Sequence, residues 1–395
     1  MKHRTQRLLG ALAFSVLSMP MFAQMSGTYN IDAAGTGTNN YTSFGSAIAD
    51  LDSLGVSGAV TFNVASGTYT EQVNLGAVTG ASSTNTITFQ GGSSTAASIL
   101  TYTPASSSDN WTVKMTGTDY VTFDNLTITS GGSTYGRLIV YTDTVTNFNL
   151  TNCHLIGTTT SGSSGSTSSF RAGLYYAYPA VAAGNWHISD NTFDSVTYAV
   201  YVYGLGYGAG SGADSVFVED NTINANYNGF YVRYAKYQKM HDNVINDIKG
   251  NSLRNYAYYP VYELDVQNNQ VNEAAYGLYC YTAPPTSGAT GNIKVNVSNN
   301  HFEGTYYGIR VGGSGSSTTE KITDLTIENN TIEAWGSSYN YGIYLGYVNA
   351  PTTARAQDQN NMISLNTTST TGTLYGIYPY HCANVDMFHN SIAAN

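Results

Sequence analysis

The sequence predicts an all-β fold, a single-stranded right-handed parallel β-helix (a solenoid) with a capping helix at its N-terminal end. Three observations carry the prediction. An alternating apolar unit recurs about every 29 residues, an asparagine holds one fixed place in most copies, and 41 Gly and 34 Tyr stand beside only 10% charged residues.

The unit is Φ-x-Φ-x-x-N-x-Φ, with Φ apolar. It reads WHISDNTF from Trp186, VFVEDNTI from Val216, LDVQNNQV from Leu264, VNVSNNHF from Val295 and LTIENNTI from Leu325, and looser copies start at Val121, Phe148, Gln238, Ala356 and Val385. The key position holds Leu126, Cys153, Asn191, Asn221, Asn243, Asn269, Asn300, Asn330, Asn361 and Asn390, and two residues later every copy is aliphatic or Phe, from Ile128 to Ile392. Alternation of this kind marks a strand with one buried face. A unit this short cannot bury that face alone and must stack on copies of itself. Helical repeats need apolar spacings of three and four, and propeller blades need roughly 40 to 50 residues. A coil remains, its successive turns paired in parallel about 4.8 Å apart. Stacked inside one turn, each Asn amide donates to the next copy and accepts from the previous one, which satisfies polar groups within the coil. The ladder is therefore structural, not catalytic.

From the N-terminus, residues 1–23 combine a basic start (Lys2, His3, Arg4, Arg7), an apolar stretch from Leu8 to Phe22 and a small residue, Ala23, as a secretory signal peptide does. About 15 apolar residues fall short of the ~20 that a spanning helix needs, so no membrane insertion is expected. Residues 24–59 form an N-terminal segment in which Phe44, Ala47, Ile48, Leu51 and Leu54 fall at helical spacing, predicting a short amphipathic helix over 42–54. Placed before a first strand at Val60, Phe62 and Val64, it would cover the open end of the coil. Residues 60–395 form the β-helix. Its other end has no such cover, since the last ladder aliphatic, Ile392, stands three residues from Asn395; the expectation is that the natural protein continues into more coils, a cap or a cell-surface sorting domain. The Gly/Ser/Thr-rich stretches 157–170, 204–214, 283–291 and 312–320 are loops almost devoid of acids and bases.

Most copies run on into Y-G-Φ-x-Φ or a close variant, as at Tyr276–Cys280, Tyr307–Val311, Tyr341–Leu345 and Tyr375–Pro379. Its central x points outward. That column reads Tyr175, Tyr201, Tyr231, Tyr279, Arg310, Tyr344 and Tyr378, beside a second of Tyr203, Arg233, Tyr281 and Tyr380. Outward tyrosines at this spacing predict a long, flat aromatic surface with hydroxyl edges. Such a surface suits a polysaccharide or surface glycan, each ring adding a little, or it serves only to stabilise the sheet through neighbour packing; both readings stand. Arg233 and Arg310 are the only basic residues found in these columns and the weak candidates for a catalytic role beside a uronate. No paired carboxylates for a glycosidase appear in the linear sequence, though distant ones could converge.

Before the ladder runs a further column, Asp190, Asp220 and Asp242, then Asn268, Asn299, Asn329, Asn360 and His389. Three carboxylates on consecutive coils could hold a Ca²⁺ ion, yet neighbouring charges in solvated turns repel only weakly and need no metal. No other cofactor is called for. Cys153, Cys280 and Cys382 are an odd, scattered set that implies no disulfide framework, and Cys280 falls in an inward column. The net charge of −10 argues against nucleic acid or an anionic membrane as partner and points to neutral ligands or none.

The N-x-Φ turns followed by Y-G-Φ resemble the repeats of right-handed β-helix proteins, a group that includes pectate-lyase-like and periplasmic nitrous-oxide-accessory-type proteins. The segment 27–157, with SFGSAIADLDSLGVSGAVTFNVASGTYTEQV, NTITFQGG and DYVTFDNLTI, is similar to the opening of large secreted β-helix proteins of Bacteroidetes. Its GTYTE run resembles the first turn of pectinesterase-like helices, with Glu71 expected as a turn residue rather than a catalyst. The resemblance implies the fold and an exported, secreted or cell-surface location; it is a poor guide to activity. Three functions are carried forward: a non-catalytic protein binding polysaccharide along its Tyr face, a polysaccharide lyase or glycoside hydrolase, and the structural stalk of an adhesin.

Overall fold

The computed structural model describes residues 23–92, 98–158, 168–177, 184–203, 213–233, 235–258, 263–283, 293–313, 322–336, 339–367, 369 and 371–395. Residues 1–22, nearly all of the stretch expected as a signal peptide, and most of the four Gly/Ser/Thr-rich loops lie outside them. The fold is the expected one, an all-β parallel solenoid of about 10 turns with a single α-helix among the described residues.

One coil shows how the sequence builds it. Strand Ala213–Glu219 carries Val216 and Val218 inward, the chain turns at Asp220 and Asn221, strand Thr222–Asn224 and strand Asn228–Arg233 follow, and Ala235–His241 begins the next coil. Stacking places the first strand of every coil in a 14-stranded sheet. The second and third strands share a 20-stranded sheet, because in Val244–Tyr258, Gln270–Ala283 and His301–Gly313 the chain stays extended through the corner between them. Register is regular and parallel: Trp186, Val216, Gln238, Leu264, Val295 and Leu325 line up coil by coil.

The interior is a set of stacked columns. Phe62, Phe89 and Phe123 follow one another at 4.9 and 5.4 Å between ring centroids, and Phe148, Tyr141 and Trp186 continue the buried aromatic core. The column then turns aliphatic through Ile188, Val218, Met240, Val266, Val297 and Ile327 before reaching a buried carboxylate, Asp358. Its second oxygen has no partner, and burial pushes its carboxyl up to about 6. Beyond it the inward positions of the final coil are uncovered, Ile392 being 51% exposed.

The ladder is present as a continuous chain of amide bonds. Nδ2 of Asn191, Asn221, Asn243, Asn269, Asn300, Asn330 and Asn361 donates in turn to Oδ1 of the next Asn at 2.9–3.1 Å, ending on Asn390. The same Oδ1 also accepts the backbone N–H of the preceding ladder residue, as Asn269 does from Asn243 at 3.1 Å. The second Nδ2 hydrogen goes to a carbonyl, for Asn269 that of Met240 at 2.7 Å. Cys153, at the same position, gives its N–H to Asn191 Oδ1. Burial pushes its thiol up to about 12, which leaves it an inert core group.

At the N-terminal end the helix α1, Phe44–Leu54, begins at Ser43, whose hydroxyl accepts the N–H of Ser46, and stops at Gly55, a glycine with φ of 68°. Its apolar face, Phe44, Ala47, Ile48 and Leu51, is buried, with Phe44 set against Tyr69 and Phe89 at the start of the core. Glu71 does have a turn role: its two oxygens accept the N–H groups of Phe44 and Gly45 at 3.1 and 2.9 Å, a carboxylate on a helix N-terminus. The first strand, by contrast, lies ahead of Val60. Met25–Ile31 pairs with Val56–Val64, and Asn40–Tyr41 adds outside it. These two strands sit within the segment assigned only to the cap.

Candidate functional site

The outward columns of the third strand strip form the candidate site. Parallel register sets Tyr175, Tyr201 and Tyr231 side by side on consecutive coils, then Arg254, Tyr279, Arg310, Tyr344 and Tyr378. The seven residues expected from the repeat are therefore all in one column, and all are half-buried. Arg254 is an addition: its coil reads NSLRNY and lacks the Tyr-Gly signature, so only register reveals it. Beside this column run Tyr203, Arg233, Tyr256 and Tyr281, with Tyr380 further on.

The orientation of the rings departs from the expected flat surface. Tyr175 and Tyr201 stack at 5.2 Å with an interplanar angle of 6°, and Tyr201 and Tyr231 at 4.8 Å and 7°. At the coil spacing of about 4.8 Å, parallel rings of adjacent turns spend their faces on each other. They stand on edge and offer hydroxyls and ring edges outward. The same holds for a third column that the repeat contained but that was not recognised as part of the surface, the Tyr of Tyr-Gly itself. Tyr276, Tyr307, Tyr341 and Tyr375 stack at 5.3, 4.6 and 4.7 Å, with planes within 13°. Burial raises the Tyr307, Tyr341 and Tyr344 phenols above their ordinary range.

Arginines interrupt the tyrosines in a consistent manner. The Arg310 guanidinium lies 4.9 Å from the Tyr279 ring centroid, 5.0 Å from Tyr344 and 5.3 Å from Tyr307, a cation held among three rings. Arg233 lies 4.5 Å from the Tyr203 ring and donates to its hydroxyl. Arg137, in no recognised motif, caps the Tyr175 stack at 3.4 Å and is desolvated there, which lowers its pKa. As catalytic candidates Arg233 and Arg310 have no acid beside them in register: the positions flanking them are Tyr203 and Tyr256, and Tyr279 and Tyr344.

Carboxylates do converge elsewhere. Glu303 and Glu333 are register partners on neighbouring coils of the second strip, with His301 Nε2 3.2 Å from Glu303. They lie on a different strip from the tyrosine columns.

Asp190, Asp220 and Asp242 are solvent-exposed, and the structure supplies a backbone reason for them. These three and Asn125, Asn152, Asn268, Asn299, Asn329, Asn360 and His389 all have φ of 52–58°, the left-handed conformation that Asn and Asp tolerate best. Partial desolvation, then the neighbouring Asp242 and Asp190, raise the Asp220 pKa. Among the described residues no group of three or more His, Cys, Asp or Glu side chains is placed to hold a metal ion, and none of their helices is long and apolar enough to cross a membrane. Cys280 is buried in its inward column as expected, and no disulfide joins the three cysteines.

Comparison with known proteins agrees with this architecture. The profile described as a right handed beta helix region matches residues 180–332. No curated protein matches the chain. Among solved structures, the Dettilon tailspike protein aligns at 12% identity over 95% of this chain and 67% of its own, with a TM-score of 0.45. The pectin methylesterase of Aspergillus niger aligns at 14% identity over 94% and 92%, TM-score 0.33, and the surface protein and adhesin PfbA of Streptococcus pneumoniae at 11% over 88% and 94%, TM-score 0.38. Residues 180–332 thus match a right handed beta helix region, and the coils on either side of them extend the same parallel β-solenoid.

Proposed function

We propose that this is an exported, non-catalytic solenoid that binds a polysaccharide along the tyrosine and arginine columns of its third strip. The observation that carries the reading is the register: half-buried Tyr and Arg side chains hold one outward position on seven of eight consecutive coils, from Tyr175 to Tyr378, and Arg254 holds the same register position on the other. A repeating polymer meets an equally repeating row of donors, and weak contacts add along it. Because the rings stand on edge, the contacts are hydrogen bonds from phenols and guanidiniums to sugar oxygens rather than ring-face stacking. The absence of an acid beside Arg233 or Arg310 in register favours binding over lyase chemistry.

One observation favours a second reading. Rings stacked at 4.6–5.2 Å satisfy one another, as the packing of a purely structural stalk requires. A glycan array with the recombinant chain, run beside assays for reducing ends and unsaturated products, separates the readings. Binding without product is expected. Product from any polymer refutes the non-catalytic reading, and no binding leaves the stalk.

A further inference from the structure

The charge of the whole chain pointed to a neutral ligand, but its distribution does not. We infer that the ligand of the tyrosine columns is a polyanionic glycan, carboxylated or sulfated, and that Arg310 is a principal anion contact; this rests on the glycan-binding reading above.

The chain has 25 acidic residues against 15 Lys and Arg. Among the described residues, the register of the three outward tyrosine columns holds no Asp or Glu, whereas it holds Lys114, Arg233, Arg254 and Arg310, and Arg137 stacks on their edge. The acids of the described residues lie off these columns, on the other strips and in turns. There several are already matched, Glu263 with Lys294 at 3.0 Å, Asp386 with Arg355 at 2.7 Å and Asp265 with His241 at 3.1 Å. In a chain of net charge −10, the charged positions of these columns among the described residues are thus all basic.

Arg310 makes the chemistry specific. Among the described residues its contacts are the rings of Tyr279, Tyr307 and Tyr344, and none of the chain's ion pairs includes it. The three rings surround the guanidinium at 4.9–5.3 Å, and no ion pair among the described residues takes its N–H fork. A fork of this shape matches a carboxylate or sulfate in bidentate fashion and a lone hydroxyl poorly. The half-buried Tyr344 beside it has a hydroxyl that can donate to the same anion. A lysine there would give a charge without the fork.

The test is binding of the full chain to immobilised polygalacturonate, hyaluronan, dextran sulfate, neutral dextran, neutral xylan and a single-stranded oligonucleotide, at low and at about half-molar salt. Expected are at least tenfold tighter binding to a carboxylated or a sulfated glycan than to the neutral ones, weakening with salt, and a loss of about tenfold in Arg310→Gln. Arg310→Lys recovers only part of that loss, while Lys236→Gln, off the columns, changes nothing; an unchanged melting midpoint shows each variant folded. The carboxylated and sulfated arms identify which anion is read. Equal binding to neutral and anionic glycans, an Arg310→Gln chain that binds as the parent does, or equal binding to the oligonucleotide overturns the inference while leaving a glycan-binding face possible. No binding to any glycan overturns the parent reading as well.

Discussion

Asn269→Ala removes one rung of the amide ladder, and the structure sets its cost. Asn269 Oδ1 is the acceptor for both the backbone N–H and the Nδ2 of Asn243, at 3.1 and 2.9 Å, and Asn243 is fully buried. The backbone N–H is orphaned at about 1–3 kcal/mol, while Asn243 Nδ2 keeps the carbonyls of Val218 and His241 at 2.9 and 2.8 Å and Asn300 Oδ1 keeps the backbone N–H of residue 269 at 2.9 Å. With about 0.5–1.5 kcal/mol more for the lost side-chain bond, the predicted loss is about 2–4 kcal/mol. Long repeat arrays seldom unfold in one step, so the assay is amide hydrogen exchange at Asn243 together with a urea melt. The Asn243 amide should exchange faster by at least tenfold, with smaller changes two coils away. Each single variant, Asn269→Ala or Asn243→Ala, removes the Asn243 Nδ2–Asn269 Oδ1 bond, which the double variant loses only once. Its cost should fall below the sum of the singles. Costs below about 1 kcal/mol with unchanged exchange would refute the claim that the ladder satisfies buried groups.

Two other substitutions follow from single residues. Asp358→Asn should stabilise the chain by about 1–3 kcal/mol at pH 7.5, since a carboxyl raised from 3.8 to about 6 favours folding below pH 4 and loses that contribution as pH rises through 6; melts at pH 4 should show no gain, and a gain at both pH values would place the cause elsewhere. At Asp242, φ is 55°, so Asp242→Ala should cost about 1–2 kcal/mol while Asp242→Asn leaves the melting midpoint unchanged or higher; a chelator-induced drop in the parent midpoint would instead show Asp190, Asp220 and Asp242 holding calcium.

What was legible in the sequence follows from physics that acts along one strand. Alternation and the fixed Asn revealed the coil, the ladder and the inward place of Cys280, because each depends only on side-chain parity and spacing. The strand Met25–Ile31 was missed since only its ends, Met25 and Ile31, are buried, with Ser, Gly, Thr, Tyr and Asn between. Arg254 and Arg137 were missed because they stand outside the Tyr-Gly motif. Parity says which side of a sheet a tyrosine occupies but not how its ring turns. That is decided by the neighbour one coil away, which is why the expected flat platform is a row of edges. The one-sign face was hidden for the same reason: residues distant in sequence join it only once register is known.

The central claim is that glycan lies along the tyrosine and arginine columns, and hydroxyl-radical footprinting of the full chain tests it most directly. With the tightest-binding glycan of the panel added, Tyr201, Tyr231, Tyr279, Tyr344 and Tyr378 should gain protection as a contiguous row, while Tyr237, 42% exposed on the opposite sheet, should not. Protection at Tyr237 without protection along the columns, or none anywhere under saturating glycan, would contradict the account.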